Sequence, residues 1–166
     1  MACCDCLSLK EPLQSLVISK GRLTTLEMPC LSSSVQSTCL RELVFSHSDL
    51  PQGGPGPLAA LLGEVSGTLE HLSLSHCGLQ EAHLAALLPA LCSCAHLRHL
   101  VLCGNVISTT GLLSLLQRLA GLKALKRVWY PVPADCGGTR DTPAQVHAAL
   151  RALLQDLRRG DLQLTP

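Results

Sequence analysis

Aromatic side chains and charge are both scarce in this sequence of 166 residues. It has one Phe, one Trp and one Tyr, only 15% of its residues are charged, and its net charge is +1. A chain so close to neutral offers no electrostatic footprint for nucleic acid or an anionic membrane. No stretch approaches the ~18 apolar residues of a membrane-spanning helix, and the polar first residues do not form a secretory signal. We therefore expect no nucleic-acid partner and no membrane partner.

The ten cysteines do not indicate a secreted protein. Disulfide frameworks are typical of small exported domains, and this chain shows no export signal. Most of the cysteines lie beside leucines, where a reduced cysteine behaves as a small hydrophobic residue. The sequence predicts a cytoplasmic protein with reduced thiols, with the nucleus as a second location.

Leucine supplies most of the hydrophobic content of 47%. Five segments begin at residues 13, 40, 69, 97 and 125, so their starts are 27, 29, 28 and 28 residues apart. The first four follow the pattern L-x-x-L-x-L-x-x-(N/C/S/G)-x-(L/I), with Ile18 or Phe45 at the third position where needed. In the fifth, Val128 and Tyr130 replace leucines. This pattern is the leucine-rich-repeat signature.

The repeat pattern predicts the fold class. Alternation within each segment favours a short strand with its leucines on one face, and stripes of leucine over 58–65, 84–91 and 112–119 favour helices. One strand and one helix cannot bury such a face alone, so the units must stack. We predict an α/β leucine-rich-repeat solenoid, a horseshoe arc with parallel strands on the concave side and helices on the convex side.

The chain divides into three predicted regions. Residues 1–12 form an N-terminal extension expected to be disordered, 13–136 carry about five repeats, and 137–166 form a capping helix and a short strand. Thr142 and Gln145 fit a capping box around Pro143. Residues 24–38 are rich in Ser and Thr and favour a loop or short turn. Since no N-terminal cap is visible, we expect the C-terminal part of a longer solenoid, as a fragment or a short isoform.

The predicted concave face is the candidate functional surface, because repeat stacks commonly bind partners there. It mixes aliphatic and titratable residues and holds Trp129, a favoured interface anchor. The alternative is that its small polar and Val residues are merely good strand formers. The predicted partner-binding residues are Glu42, Val44, His71, Ser73, His99, Val101, Cys103, Arg127 and Trp129.

A second set of residues is predicted to be structural. Asn105 lies where the chain leaves the strand, and its amide can bond backbone groups of neighbouring repeats that would otherwise be buried unpaired. Ser48 and Cys77 occupy the same repeat position with weaker donors. We predict a structural ladder of Ser48, Cys77 and Asn105.

Residues that resemble catalytic or metal-binding motifs have simpler explanations. Cys92, Cys94, His96 and His99 offer zinc-ligand chemistry, but the helix end and the strand that carry them lie on opposite sides of the predicted core. Residues 47–49 are His, Ser and Asp, yet consecutive side chains diverge and cannot form a triad. The glycines of 53–56 lack the Lys-Ser or Lys-Thr of a phosphate-binding loop. We expect no enzyme, no cofactor and no metal, with a zinc-dependent protein as an outside alternative.

Residues 68–108, TLEHLSLSHCGLQEAHLAALLPALCSCAHLRHLVLCGNVIS, and 122–136, LKALKRVWYPVPADC, resemble the C-terminal repeats of the PRAME family. The resemblance covers most of residues 12–160. It implies a curved leucine-rich-repeat scaffold that binds proteins. Members of the family are known as substrate receptors of cullin-RING ubiquitin ligases and as regulators of transcription, apoptosis and inflammatory signalling.

The sequence leaves two alternative functions open. The first is a substrate-recognition or regulatory adaptor. The family's ligase role depends on an elongin-contacting box in its N-terminal region, and no such segment is present in this sequence, so we expect elongin and cullin as partners only of a longer form. The second function is an inhibitor that occludes an enzyme or signalling kinase through the concave face, without any ligase role.

Overall fold

Six short strands form one parallel sheet in the computed structural model, which describes residues 14–20, 39–48, 56–136 and 142–166. The strands lie side by side in sequence order: β1 (Ser15–Ser19), β2 (Glu42–Ser46), β3 (His71–Ser75), β4 (His99–Val101), β5 (Arg127–Trp129) and β6 (Gln163–Thr165). Corresponding positions of the sequence segments pair directly, as with His71 opposite His99 and His99 opposite Arg127. The predicted α/β class with parallel strands is confirmed.

The described residues contain four helices: α1 (Gly56–Val65), α2 (Glu81–Ser93), α3 (Thr109–Leu119) and α4 (Pro143–Asp156). Local sequence explains where they begin. The Ser108 hydroxyl accepts a hydrogen bond from the Gly111 N–H at 3.1 Å, which satisfies one of the unpaired donors at the start of α3. The capping box predicted at Thr142 is present at the start of α4. Helix α2 continues through Pro89 to Ser93.

The core is built almost entirely from leucine. One cluster of buried side chains joins the inward-facing strand leucines to the apolar stripes of the helices. Phe45 and Tyr130 are the aromatic side chains in this cluster. The helices contribute Leu58, Leu61, Leu62, Val65, Leu84, Leu87, Leu91, Leu112, Leu115, Leu116, Leu119, Val146, Leu150 and Leu154. Because leucine fills the same niche in successive units, few aromatic side chains are needed.

A buried arginine closes the C-terminal side of the core. The Arg159 guanidinium donates to the carbonyl oxygens of Ala120, Leu122 and Leu125 at 2.7–2.8 Å, and its Nε donates to Asp161 at 2.9 Å. These carbonyls lie just beyond the end of α3, which ends at Leu119. Hydrogen bonds from Arg159 and from Lys126 lower the pKa of Asp161 to about 2. The acceptors and the guanidinium thus satisfy one another.

Several sequence predictions fall outside the described residues. The disordered extension at 1–12 and the loop or turn at 24–38 lie there, as does Asp49 of the His-Ser-Asp run. The three-region division of the chain stays a prediction.

Candidate functional site

One face of the sheet carries the side chains that alternate with the core leucines. We call it the open face and define it by two rows, which the strand register brings side by side. The start row is Ser15, Glu42, His71, His99, Arg127 and Gln163, and the middle row is Val17, Val44, Ser73, Val101, Trp129 and Thr165. All but one of these side chains are half-buried or exposed. The rows therefore form a continuous surface across six strands.

Three rings lie in contact at the centre of the open face. The ring centroids of His71 and His99 are 5.7 Å apart, and those of His99 and Trp129 are 5.9 Å apart. Burial lowers the pKa of His99, and the charges of His71, Arg127 and Arg98 lower it further. The His99 imidazole therefore stays neutral to a lower pH than an isolated histidine. This central strip is aromatic, and the guanidinium groups of Arg127 and Arg98 lie near it.

Opposite charges stand towards the two ends of the start row. The Ser15 hydroxyl donates to the Glu42 carboxylate at 2.6 Å. On the other side of the rings, the Arg127 Nε donates to the Gln163 side-chain oxygen at 3.0 Å. Gln163 thus positions the Arg127 side chain, but because Gln163 is neutral it does not balance the positive charge of Arg127.

Of the predicted partner-binding residues, Ser73 is not exposed as expected, and Cys103 lies outside the two rows. Ser73 lies on the open face in the expected register, but it is only 7% exposed, so its predicted exposure is wrong. Its short side chain stands between Val44 and Val101 and bonds to the Ser75 hydroxyl at 3.0 Å. Cys103 lies beyond the end of β4 and is half-buried, and burial raises the pKa of its thiol.

Asn105 bridges two neighbouring units, as its sequence position suggested. Its side-chain oxygen accepts from the backbone N–H groups of Cys77 and Leu79, both at 3.1 Å. Its amide nitrogen donates to the carbonyl oxygens of Leu74 at 2.7 Å and Leu102 at 2.8 Å. The side chain is only 5% exposed, so it replaces water for buried backbone groups.

The two other ladder residues also bond to backbone groups. The Cys77 thiol donates to the carbonyl oxygens of Phe45 at 3.5 Å and Ser75 at 3.4 Å, so it also reaches the preceding unit. The Ser48 hydroxyl donates to the Ser46 carbonyl at 3.1 Å. Asn105 and Cys77 thus both bond to backbone groups of the preceding unit.

The alternating rows repeat with the period of the leucine pattern, and comparison with known proteins identifies that pattern. A family model described as the PRAME C-terminal domain matches residues 4–164. This is nearly the whole chain. The chain belongs to the PRAME family.

Individual PRAME-family relatives agree with this assignment. The chain is 41% identical over 128 residues to leucine-rich repeat-containing protein 14 of Xenopus laevis, which covers 77% of this chain and 25% of that protein. It is 35% identical over 156 residues to PRAME family member 17 of Homo sapiens, covering 91% and 33% respectively. The chain thus spans a quarter to a third of these relatives. Neither name denotes an enzyme.

The zinc-like residues of this PRAME-family chain are dispersed. Cys94 follows α2, is buried, and donates to the Ala90 carbonyl at 3.4 Å. Burial, with a smaller effect of Cys92, raises the pKa of Cys94 to about 11, which disfavours the thiolate that a zinc site requires. His96 is exposed, and His99 lies on the open face. Within the described ranges, no three or more His, Cys, Asp or Glu side chains group to hold a metal ion.

A pair of stacked histidines was missed by sequence reasoning. The rings of His47 and His76 are parallel to within 6°, with centroids 4.5 Å apart. Both residues have positive φ at the exit of their strand, as do Lys20 and Gly104 at the same repeat position. A Cβ on Gly104 would overlap the His76 ring, so the glycine makes room for the stack. The signal in the sequence was that His47 and His76 occupy the same position of successive repeats, which places their side chains next to each other.

None of the helices in the described part of this PRAME-family chain has the length and apolar character needed to cross a membrane.

Proposed function

We propose that this chain is a non-enzymatic scaffold that binds another protein through its open face. The supporting observation is the continuous two-row surface, which has Trp129 and Val101 beside each other at its centre. Interfaces are enriched in aromatic residues and arginine at their centres, and this face supplies Trp129 next to Arg127. A sheet face already in register can bind without reorganising its backbone.

The proposal includes the curvature of the sheet. Short parallel strands, one per leucine segment, with helices in the connections, are the expected units of a leucine-rich-repeat solenoid. In that geometry the open face is the concave side of the arc. A concave surface would contact an inserted segment of the partner from several strands at once.

The finer role is that of a substrate-recognition adaptor of the PRAME type, acting in the cytoplasm and also in the nucleus. The match to the PRAME family supports this role, because members of that family are known as substrate receptors. Recruitment of elongin and cullin, and effects on transcription or apoptosis, are proposals for the longer form. The alternative is an inhibitor that occludes an enzyme or kinase with the same face.

The face is tested by combining Trp129→Ala with Val101→Asp and capturing partners from cell extract. We expect at least about a 30-fold loss of affinity, since truncating a central Trp commonly costs ~2 kcal/mol or more. Val106→Asp is the matched control, because Val106 is 60% exposed and belongs to neither row. Equal capture by both variants would move the interface away from the open face.

A second purification separates the adaptor from the inhibitor. The chain is compared with a form extended at its N-terminus by the family's elongin-contacting region. Elongin and cullin recovered only with the extended form support the adaptor role. A bound enzyme or kinase whose activity falls, with neither elongin nor cullin in the complex, supports the inhibitor.

A further inference from the structure

Positive charge is concentrated around His99, from Arg127 on the open face and from Arg98, which lies outside the two rows. The Arg98 and Arg127 charges both act on His99, and His71 is its histidine neighbour on β3. Arg98 precedes β4 and its Nε lies 4.0 Å from Glu70, a carboxylate that also pairs with Arg41 at 3.5 Å. No carboxylate within the described ranges forms an ion pair with Arg127. Arg98 and Arg127 are therefore incompletely neutralised, because Arg98 shares the Glu70 carboxylate with Arg41 and Arg127 pairs with no carboxylate among the described residues.

The apolar contacts lie one step further along the same strands. Val101 and Trp129 each stand two residues beyond the start row, on the same face. Two residues of strand span roughly 6.6–6.8 Å, which is also the distance between residues i and i+2 of an extended ligand. A ligand in extended conformation can thus place one side chain at the cationic groups and the next same-side residue on the indole.

We propose that this part of the open face, together with the adjacent Arg98, binds an acidic, extended segment of the partner protein, with carboxylates against Arg98, Arg127 and His99 and an apolar side chain on Trp129. This inference rests on the proposed function, because it names the chemistry of the partner for the same face. Charge complementarity carries it: Arg127 has no ion-pairing carboxylate among the described residues and Arg98 shares Glu70 with Arg41, so an acidic segment would supply further negative charge.

Carboxylates of a protein fit this surface better than a nucleic-acid backbone does. The chain has a net charge of only +1, and the cations near His99 are few and flanked by Glu42 on β2 and Glu70 before β3. Nucleic acid carries a dense row of phosphates and requires an extended basic surface. A short acidic segment requires only a local one.

The test uses a twelve-residue probe peptide with the repeat Glu-Ser-Leu-Ser, added to the full chain. Trp129 is the sole tryptophan, so its intrinsic fluorescence reports contact at the proposed position. We expect saturable fluorescence change with the Glu peptide and at least about tenfold weaker binding of the matching Gln peptide. Binding should also weaken as salt is raised from about 0.05 to 0.5 M.

Substitution of the two arginines localises the contact. Arg98→Gln with Arg127→Gln should weaken the Glu peptide about tenfold and leave the Gln peptide unaffected. Arg118→Gln on α3 is the matched control and should change affinity less than about twofold. Circular dichroism with thermal unfolding checks that each variant is folded.

The pH dependence supplies an independent readout at His99. His71 on β3, Arg98 before β4 and Arg127 on β5 are its charged neighbours, and all disfavour its protonation. A bound carboxylate favours protonation, so peptide affinity should rise as pH falls from about 7.5 to 6. His99→Gln should reduce this rise.

Contrary outcomes are specific. Equal binding of the Glu and Gln peptides, no binding of the Glu peptide, or a double-arginine variant that binds normally would each overturn the acidic-segment proposal. Tighter binding of a single-stranded oligonucleotide than of the Glu peptide would replace it with nucleic-acid recognition. If Trp129→Ala with Val101→Asp still abolishes capture of a cellular partner, the proposed function survives and only the acidic chemistry is wrong.

Discussion

Replacing Asn105 with alanine is expected to destabilise the whole repeat stack. The substitution removes five hydrogen bonds. Two satisfy the buried N–H groups of Cys77 and Leu79. Three donate to the carbonyls of Leu74 and Leu102 and, at 3.5 Å, of Cys103. A carbonyl can find a substitute donor more easily than an N–H can find an acceptor in a packed turn. The loss therefore depends mainly on the two donors.

An unsatisfied buried polar group costs about 1–3 kcal/mol, so two such donors predict a loss of roughly 3 kcal/mol. Domains of this size have a free energy of unfolding of about 5–15 kcal/mol, so the protein should still fold. With a urea m-value of ~2 kcal/mol/M, the unfolding midpoint should fall by about 1.5 M. Asn105→Ser should fall between the two proteins, because the shorter side chain keeps one donor and acceptor.

Urea unfolding followed by circular dichroism measures this loss, with Val106→Ala as the control. Val106 is the next residue and is largely exposed, so its truncation should change stability by less than about 0.5 kcal/mol. If Asn105→Ala loses no more than this control, the bridging hydrogen bonds do not stabilise the stack. A changed m-value would instead indicate that the units no longer unfold together.

Three other substitutions or treatments test individual contacts. Gly104→Ala should lower the free energy of unfolding by about 1–3 kcal/mol, because Gly104 has a positive φ and a Cβ there would overlap the ring of His76. Adding His76→Ala should recover the steric part of this loss, whereas additive effects of the two substitutions would refute the overlap. Asp161 has a lowered pKa of about 2, so it stabilises the fold above about pH 4 and this stabilisation is lost as pH falls towards 2. The midpoint of Asp161→Asn should therefore lie below that of the unaltered protein at pH 6 and coincide with it near pH 2, and equal midpoints throughout would contradict the argument. Cys94 is buried and its pKa is raised to about 11, so it should be alkylated much more slowly at pH 8 than exposed Cys92. Mass spectrometry of the digested protein measures both rates, and equal rates would contradict the burial of Cys94.

The leucine spacing determined most of the fold. Because side chains alternate along a strand, a leucine at every second position specifies which face is buried, and a period near 28 residues specifies that each strand repeats the last. The paired register of His71, His99 and Arg127 follows from that repeat alone. The bridge from Asn105 was also predictable, since an amide at the strand exit has both donors and an acceptor to offer.

What the sequence could not determine depends on the side chains of neighbouring strands. The repeat assigned Ser73 to the open face but could not show that this short side chain, between Val44 and Val101, would be buried. The stack of His47 on His76 needs left-handed backbone at the strand exits and a glycine at 104, and only the assembled sheet brings these together. The guanidinium of Arg159 likewise meets carbonyls more than thirty positions away in the sequence. A repeat therefore fixes the direction of each side chain through local backbone geometry, whereas exposure and charge depend on contacts between units, which only the tertiary structure decides.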